Sequence, residues 1–347
     1  MRRRRGAGPQ VLGHPGRVSV APDARVDPEV VLDARTGRIE VQPGAVLGTR
    51  AVVVGPARVG AGAVVGAGAV VTADLAAGLR AEGAPAQAVA WTTDRPGLPA
   101  AAYAESPHGP VVAPAGHGWS GPRGTLGGDD DPFPALAAAE VTLHERVVEV
   151  GAGFGRTTLA LMDAIGREGR LLAVEAEPGN AWLLQSNLVA RGWRWSSRVA
   201  RVAAWSARTE VPFSPAQHDP HDHRTGQRLP ARPVRAAPAV PLDELVPLGD
   251  PVHLLAVDVN GAESAVLHGA RRLLERARPR IVARFSAVRL RQAGEDPVLV
   301  LAAWRGFGYD VRVLDEDGHH DDAAIVALCD ARAHPGGGWV VLGLRPA

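Results

Sequence analysis

The sequence predicts a protein of two parts, in which a short parallel β-helix precedes an α/β domain built on a parallel sheet. Two observations lead to this prediction. Aliphatic residues recur every six positions in the first quarter of the chain, and short strand and helix patterns alternate from about residue 135 to the end. With 347 residues, the chain is long enough for two domains, each with its own core.

The repeat in the first part has a period that fits neither a helix nor a simple strand. A six-residue period indicates a coil in which each hexapeptide forms one strand and one corner, with the aliphatic residue inside. We expect nine units, or about three turns, over residues 18–91, after a basic tail over residues 1–17. The repeated aliphatic residues are Val20, Val26 and Leu32 and, after a three-residue offset, Val41, Leu47, Val53, Val59, Val65 and Val71.

The end of the repeat carries a resemblance. The stretch VGAGAVVGAGAVVTADLAAGLRAEGAPAQAV resembles the closing coils of the hexapeptide-repeat acyltransferases, with Gly83-Ala84-Pro85-Ala86 as the exit from the coil. The resemblance implies a left-handed parallel β-helix. Those enzymes use a histidine base at a coil corner, and no histidine lies between Val18 and Trp91. We therefore favour a structural module that trimerises the chain, with an acyltransferase as the alternative.

The second part begins after a segment rich in Pro, Gly and Ala. Because residues 92–134 lack periodicity, they are predicted to be a linker. Over residues 135–347, strand patterns alternate with helical ones, which favours a parallel sheet covered by helices. The strand candidates are Arg146–Val150, Leu171–Glu175, Ser197–Ala203, His253–Val259 and Arg280–Phe285, followed by two closing strands.

A glycine turn joins the first of these strands to the first helix. Glu149 is followed by Gly151, Gly153 and Gly155, and Glu175 ends the next strand. The dinucleotide motif G-x-G-x-x-G fails because Arg156 stands at its third glycine, and a P-loop is excluded because the chain has no lysine. The remaining pattern, an acid and three alternate glycines with a second acid one strand later, looks like the S-adenosylmethionine site of Rossmann-like class I methyltransferases.

Several further sequence segments narrow the resemblance to one family of methyltransferases. VVEVGAGFGRTTLAL, VEAEPGNAWLLQSNL, AAWSA, VPLDELV and LLAVDVNGAESAVLHGARRLL, in this order, resemble the FkbM family of methyltransferases. The resemblance implies S-adenosylmethionine as cofactor, with Glu175 on its ribose and Ser206 near its adenine. It further implies that Asp258 ends the strand that faces the transferring methyl group. The residues implied to line the methionine side are Glu149, Gly151, Gly153 and Gly155.

The expected reaction is O-methylation of a small-molecule hydroxyl, on a sugar or a glycosylated or secondary metabolite. A hydroxyl acceptor must lose its proton, so Asp258 is the candidate base, directly or through a divalent cation. The chain departs from the family pattern at Ala256, Asn260 and Arg284, where lysine, glutamate and an acid are usual. The alternative is therefore a trimeric assembly protein whose domain binds the cofactor without catalysis.

Composition narrows the function classes further. A net charge of +1 gives little support for nucleic-acid binding, and no apolar run is long enough for a membrane span. The single cysteine, Cys329, excludes a disulfide framework and a cysteine zinc site. The run HDPHDH at residues 218–223 has the composition of a metal site but lies in an aperiodic stretch, so a solvated loop is favoured. We expect a cytoplasmic protein.

Overall fold

The computed structural model describes residues 9–75, 77–84, 86–91, 101–104, 111–114, 131–193, 195–214, 224–225, 235–332 and 338–347. The chain divides into two units. One comprises residues 1–126 with 185–195, and the other comprises residues 127–184 with 196–347.

The first unit is a three-sided parallel coil. Each turn of the chain adds one strand to each of three parallel sheets, ordered β1-β4-β7-β10, β2-β5-β8 and β3-β6-β9-β11. This is the β-helix that the six-residue period predicts. The strands are β1 (Gln10–Leu12), β2 (Val18–Val20), β3 (Arg25–Val26), β4 (Val31–Asp33), β5 (Ile39–Val41), β6 (Val46–Leu47), β7 (Val52–Val54), β8 (Ala57–Val59), β9 (Val64–Val65), β10 (Val70–Val71) and β11 (Leu79–Glu82).

Most of the repeated aliphatic residues form the interior of the coil, but Val20 is 37% exposed and Val26 is only half-buried, so the prediction is wrong for these first two positions. Leu32, Leu47 and Val53 are fully buried, and Val41 and Val71 are buried almost as completely. The residues two positions before these are buried as well, and they are Val30 and Ile39 in the first two cases and Ala45, Ala51 and Ala69 in the others. At Gly48 a Cβ would lie 2.8 Å from the Val65 carbonyl oxygen, so the next coil leaves no room for a side chain there.

The coil begins earlier than the sequence predicts. Strand β1 pairs in parallel with β4, so the predicted tail over residues 1–17 already contains part of the first turn. The six-residue period missed this turn because three extra residues separate Val11 from Val20, the same offset that separates Leu32 from Val41. His14 therefore falls in the first turn, where its Nδ1 accepts a hydrogen bond from the Gly16 amide at 3.1 Å.

The coil ends in antiparallel strands. Strand β12 (Gln87–Trp91) pairs antiparallel with β11, and β13 (Ala101–Ala104) and β14 (Val111–Pro114) continue the same sheet. The last two strands lie in the segment for which the sequence predicts an aperiodic linker. Their sequences, AAYA and VVAP, are too short and too poor in large apolar residues to be recognised as strands from pattern alone.

The second unit is built on a seven-stranded sheet. Its strands are β15 (Arg146–Val150), β16 (Arg170–Val174), β17 (Ser197–Ala200), β22 (Leu254–Val257), β23 (Arg280–Phe285), β24 (Tyr309–Val313) and β25 (Val340–Pro346). The first five are parallel in the order β17-β16-β15-β22-β23, and β25 and β24 close the sheet antiparallel. This confirms the predicted Rossmann-like α/β class, and β15 and β23 have the predicted bounds.

A smaller sheet and nine helices complete the described part of this half of the chain. The small sheet, in the order β18-β21-β19-β20, consists of β18 (Ala203–Ala204), β19 (Thr209–Ser214), β20 (Arg224–Thr225) and β21 (Arg235–Val240). The helices are α1 (Phe133–Ala139), α2 (Arg156–Ile165), α3 (Pro178–Ala190), α4 (Leu242–Leu245), α5 (Glu263–Gly269), α6 (Arg271–Arg276), α7 (Ala287–Ala293), α8 (Pro297–Gly306) and α9 (Asp322–Ala331). None of the described helices is long and apolar enough to cross a bilayer.

The strand order reverses between β15 and β22. The chain leaves β15 toward β16 on one side and later returns to form β22 on the other side. In open α/β sheets such a switch point leaves a crevice at the carboxyl ends of the strands, and ligands bind there. The glycine turn follows β15 and Asp258 follows β22, so both lie at this crevice.

Candidate active site

The glycine turn brings the backbone after β15 against the end of β22. Gly151, Gly153 and Gly155 all have positive φ, at 82°, 56° and 106°. A Cβ on Gly151 would lie 1.9 Å from the Asp258 carbonyl oxygen, so only glycine fits at this position. A Cβ on Gly153 would meet no heavy atom within 4 Å. The turn is therefore packed on one side and open at Gly153, where a ligand has access to the backbone.

Glu149 lies at the base of the turn with a buried carboxyl group. Its Oε2 accepts a hydrogen bond from the Thr158 hydroxyl at 2.6 Å. Burial raises the pKa of Glu149 to about 8, against the Thr158 hydrogen bond, and the nearby Asp258 and Glu175 carboxylates raise it further. The site thus holds a carboxyl group that favours its neutral form until a positive charge is brought near it.

Glu175, which follows β16, holds the glycine turn. Its Oε2 accepts from the Gly153 amide at 2.8 Å, and its Oε1 accepts from the Glu177 amide at 2.7 Å. Burial raises its pKa to about 7 despite these two hydrogen bonds, and the Glu177 and Asp258 carboxylates add to the rise. Each carboxylate oxygen has a second lone pair, so Glu175 can still accept from the hydroxyls of a ligand.

Asp258 is paired with the residue that replaces the acid expected on the next strand. Its Oδ2 accepts from the Nε of Arg284 at 2.9 Å, and the two side chains are 17% and 13% exposed. Burial raises the pKa of Asp258, and the Arg284 charge opposes this rise. Among the described residues, none donates a hydrogen bond to Oδ1 of Asp258. One oxygen of the candidate base is thus held, and the other is available.

Arg284 also binds Asp131, which sequence reasoning missed. The Nη2 of Arg284 lies 2.9 Å from both oxygens of Asp131, and the guanidinium lies over the rings of Trp339 and Phe133, at 4.2 and 5.1 Å from their centres. Asp131 precedes α1 in the segment that the sequence predicts to be a linker, so the domain begins before the predicted residue 135. The acidic run GGDDDP, which contains Asp131, was the sequence feature that could have indicated this residue.

Glu263 is buried beside the same strand end. It begins α5, is 1% exposed, and its Oε1 accepts from the Gly261 amide at 3.2 Å. Its Oε2 has no hydrogen-bond partner among the described residues. Burial raises the pKa of Glu263 to about 7, and the Asp258 and Glu295 carboxylates add to the rise. Glu263 thus adds a buried carboxyl group to the acids near Asp258.

The structure brings together most of the predicted site residues. Glu149, the three glycines, Glu175 and Asp258 lie at the carboxyl ends of three neighbouring strands. Ser206 differs, because it lies in an exposed bend after β18 in the smaller sheet, and its predicted place near adenine remains a prediction. Residues 218–223, the histidine run, lie outside the described residues. Within the described ranges, no group of three His, Cys, Asp or Glu side chains has the geometry to hold a metal ion.

A comparison with known protein families finds a match over this region of the chain. Residues 149–311 match the family model of the methyltransferase FkbM domain. Among solved structures, a methyltransferase FkbM from Methylobacillus flagellatus KT is similar at 18% identity and a TM-score of 0.38, over 58% of this chain and 43% of that one. A SAM-dependent O-methyltransferase from Thermotoga maritima is similar at 12% identity and a TM-score of 0.35, over 62% of this chain and 64% of that one. None of the curated proteins matches.

Proposed function

We propose that this chain, which carries a methyltransferase domain of the FkbM family at residues 149–311, transfers a methyl group from S-adenosylmethionine to a hydroxyl of a small molecule. The observation that carries the proposal is the convergence of an open glycine turn and three acids at the switch point of the sheet. Glu149, Glu175 and Asp258 end or follow adjacent parallel strands, which is where open α/β sheets bind their ligands.

The residues present fit this cofactor. The open position at Gly153 leaves room beside the backbone, and Glu175 retains lone pairs for two ribose hydroxyls. Glu149 offers a carboxylate to the positive charge of the methionine end. When bound, S-adenosylmethionine supplies an electrophilic methyl group. Because such a transfer is an in-line displacement, the main task of the protein is to align the acceptor.

Asp258 is the proposed base for the acceptor hydroxyl. Its Oδ2 is held by Arg284, which fixes the orientation of the carboxylate, and its Oδ1 is the atom we expect to accept the proton. A positioned base contributes about 10²–10⁴ in rate. The substrate class, a sugar or glycosylated metabolite, rests on analogy with other proteins that contain hexapeptide repeats.

Titration calorimetry with S-adenosylmethionine, followed by transfer of a radiolabelled methyl group to a panel of sugars and glycosylated metabolites, tests the proposal. Glu175→Ala should lose about 1.5–3 kcal/mol of cofactor binding, or about tenfold to a hundredfold in affinity, because hydrogen bonds to a charged group are lost. Glu210→Ala, at an exposed position on β19, is the matched control. Unchanged affinity in a folded Glu175→Ala protein would refute the assignment.

A second candidate function follows from the ion pair at Asp258. The Arg284 charge makes Asp258 a weaker base than the same buried carboxylate would be without it, which favours a protein that binds the cofactor and assembles without turnover. Tight cofactor binding with no methyl transfer to any acceptor of the panel would support this candidate over the first.

We also propose that the β-helix forms a trimer through two of its three faces. On one face Val31, Val52 and Val70 point outward in register, and they are only half-buried. A second face presents the register pair Val46 and Val64 in the same way, with the exposed Arg25 and Arg80 on either side of the pair in the same register. The third face instead carries charged residues such as Glu40 and Arg58, whose Oε2 and Nε lie 3.8 Å apart. Apolar faces favour burial against further copies of the chain.

A further inference from the structure

We propose that Asp131 is a positioning residue, which shares the Arg284 guanidinium with Asp258 and thereby keeps the Asp258 carboxylate available as a base. The catalytic consequence rests on the proposed function. The linkage itself concerns only residues of this chain and can be measured without cofactor or acceptor.

The geometry makes Arg284 a bridge between two acids. Its Nε binds Asp258, and its Nη2 binds both oxygens of Asp131, all at 2.9 Å. All three side chains are less than one fifth exposed, so water screens these contacts poorly. The rings of Trp339 and Phe133 lie under the guanidinium and restrict its movement. The position of Arg284, and with it that of Asp258, thus depends on Asp131.

Asp131 is itself held from two further sides. Its Oδ1 accepts from the Phe133 amide at 3.1 Å, at the start of α1, and its Oδ2 lies 3.1 Å from the Nη1 of Arg156, the first residue of α2. Burial alone would raise the pKa of Asp131, but the charges of Arg284 and Arg156 hold it below its usual value. Asp131 is therefore a stable negative charge that joins the glycine-turn helix to the end of β23.

The balance of charge around Asp258 gives Asp131 its effect. Among the described residues, two arginines, Arg284 and Arg156, face two aspartates, so these four groups together are neutral when all are ionised. The other acids near Asp258 have raised pKa values and are at least partly neutral at pH 7, namely Glu149, Glu175 and Glu263. Without Asp131, Arg284 would form its ion pair with Asp258 alone among these two aspartates. Its positive charge would then lower the pKa of Asp258 further.

The consequence for the reaction follows from the strength of the base. A carboxylate with a lower pKa accepts a proton less readily, so methyl transfer should slow when Asp131 loses its charge. The acidic limb of the pH–rate profile should move to lower pH at the same time, because Asp258 then stays ionised in more acidic solution. A purely structural role for Asp131 would lower stability or activity without moving this limb.

The test is a pH titration of the Asp258 carboxyl carbon by NMR in the full chain, labelled with ¹³C at aspartate and assigned with Asp258→Asn. Asp131→Asn keeps the size and an acceptor for the Phe133 amide but removes the charge. We expect the Asp258 titration to move to lower pH in this variant and to return toward the wild-type position in Asp131→Glu. Asp317→Asn, at an exposed loop position after β24, should leave it unchanged.

Thermal unfolding establishes that each variant is folded, and Asp131→Ser, which also retains a cap acceptor, replaces Asp131→Asn if that variant does not fold. An Asp258 titration that is unchanged in the folded, uncharged variant would overturn the proposal. This outcome is distinct from failure of the proposed function, which would appear as a wild-type protein that binds no S-adenosylmethionine or transfers no methyl group.

Discussion

Binding of S-adenosylmethionine should release protons, because the site holds carboxyl groups of which about half or more are neutral at pH 7 when it is empty. A group with a pKa of about 8, as for Glu149, is about one tenth ionised at pH 7, and one with a pKa of about 7, as for Glu175, is about half ionised. A sulfonium and an ammonium group favour the ionised form of nearby carboxyls. If both become fully ionised, about 0.9 proton leaves Glu149 and about 0.5 leaves Glu175, or about 1.4 in total.

Titration calorimetry at pH 7 in phosphate, HEPES and Tris measures this number. The apparent binding enthalpy should vary linearly with the ionisation enthalpy of the buffer, with a slope equal to the protons released. Glu149→Gln should reduce the release by about 0.9 proton, since it removes the group with the higher pKa. S-adenosylhomocysteine, which lacks the sulfonium charge, should release fewer protons, and Glu210→Gln, at an exposed position on β19, should change nothing.

The release of protons on binding should also make the cofactor affinity depend on pH. The logarithm of the affinity should rise with pH near neutrality, with the same slope as the number of protons released. Binding with no buffer dependence and no change in affinity between about pH 6 and pH 8 would refute the reasoning, because it would mean that neither carboxyl titrates in response to the cofactor.

Three further predictions concern single positions. Gly151→Ala should abolish cofactor binding and lower the stability measured by urea unfolding, because its Cβ would lie 1.9 Å from the Asp258 carbonyl oxygen. Gly153→Ala should cost only about 1 kcal/mol of stability, because its Cβ would meet open space, while cofactor affinity falls. Equal losses for the two would contradict the packing argument. Asp258→Asn should lower methyl transfer by about 10²–10⁴ and leave cofactor affinity within a few fold; undiminished transfer would make the residue structural. Val52→Asp should convert a trimer into monomers by light scattering, while Ser19→Asp on the charged face should not, and a wild-type monomer would exclude the trimer.

Local pattern was enough to predict the parts of the fold whose causes are local. Strands β15 and β23 have their predicted bounds because each is an apolar run ended by a turn or a polar residue. From Leu32 onward, the inward residues of the coil followed from a period of six. The first turn of the coil was missed because an insertion interrupts the period at Gly13 to Arg17, and a period cannot be read from a single interrupted repeat.

The chemistry of the site was less predictable than its backbone. The roles of the glycines and Glu175 could be predicted from their spacing, because a turn that approaches a ligand closely needs glycines at fixed positions in a short segment. Asp131 lies 127 residues before Asp258 in the chain, and only the folded sheet brings both to Arg284. Arg284 alone looked like a loss of the expected acid. Its two carboxylate partners make it part of a neutral cluster, and no local pattern records such a partnership.

The antiparallel strands that end the coil bear on how copies of the chain meet. A parallel coil ends in an unpaired row of amide and carbonyl groups, onto which another coil could stack and so begin a fibre. Strand β12 covers this row along β11, and it runs in the opposite direction, so the sheet that continues from it no longer repeats the coil. On this face, growth along the coil axis is blocked. Contact through the valine-bearing sides remains open, and in the trimer proposed above it would produce a closed ring of finite size rather than a filament.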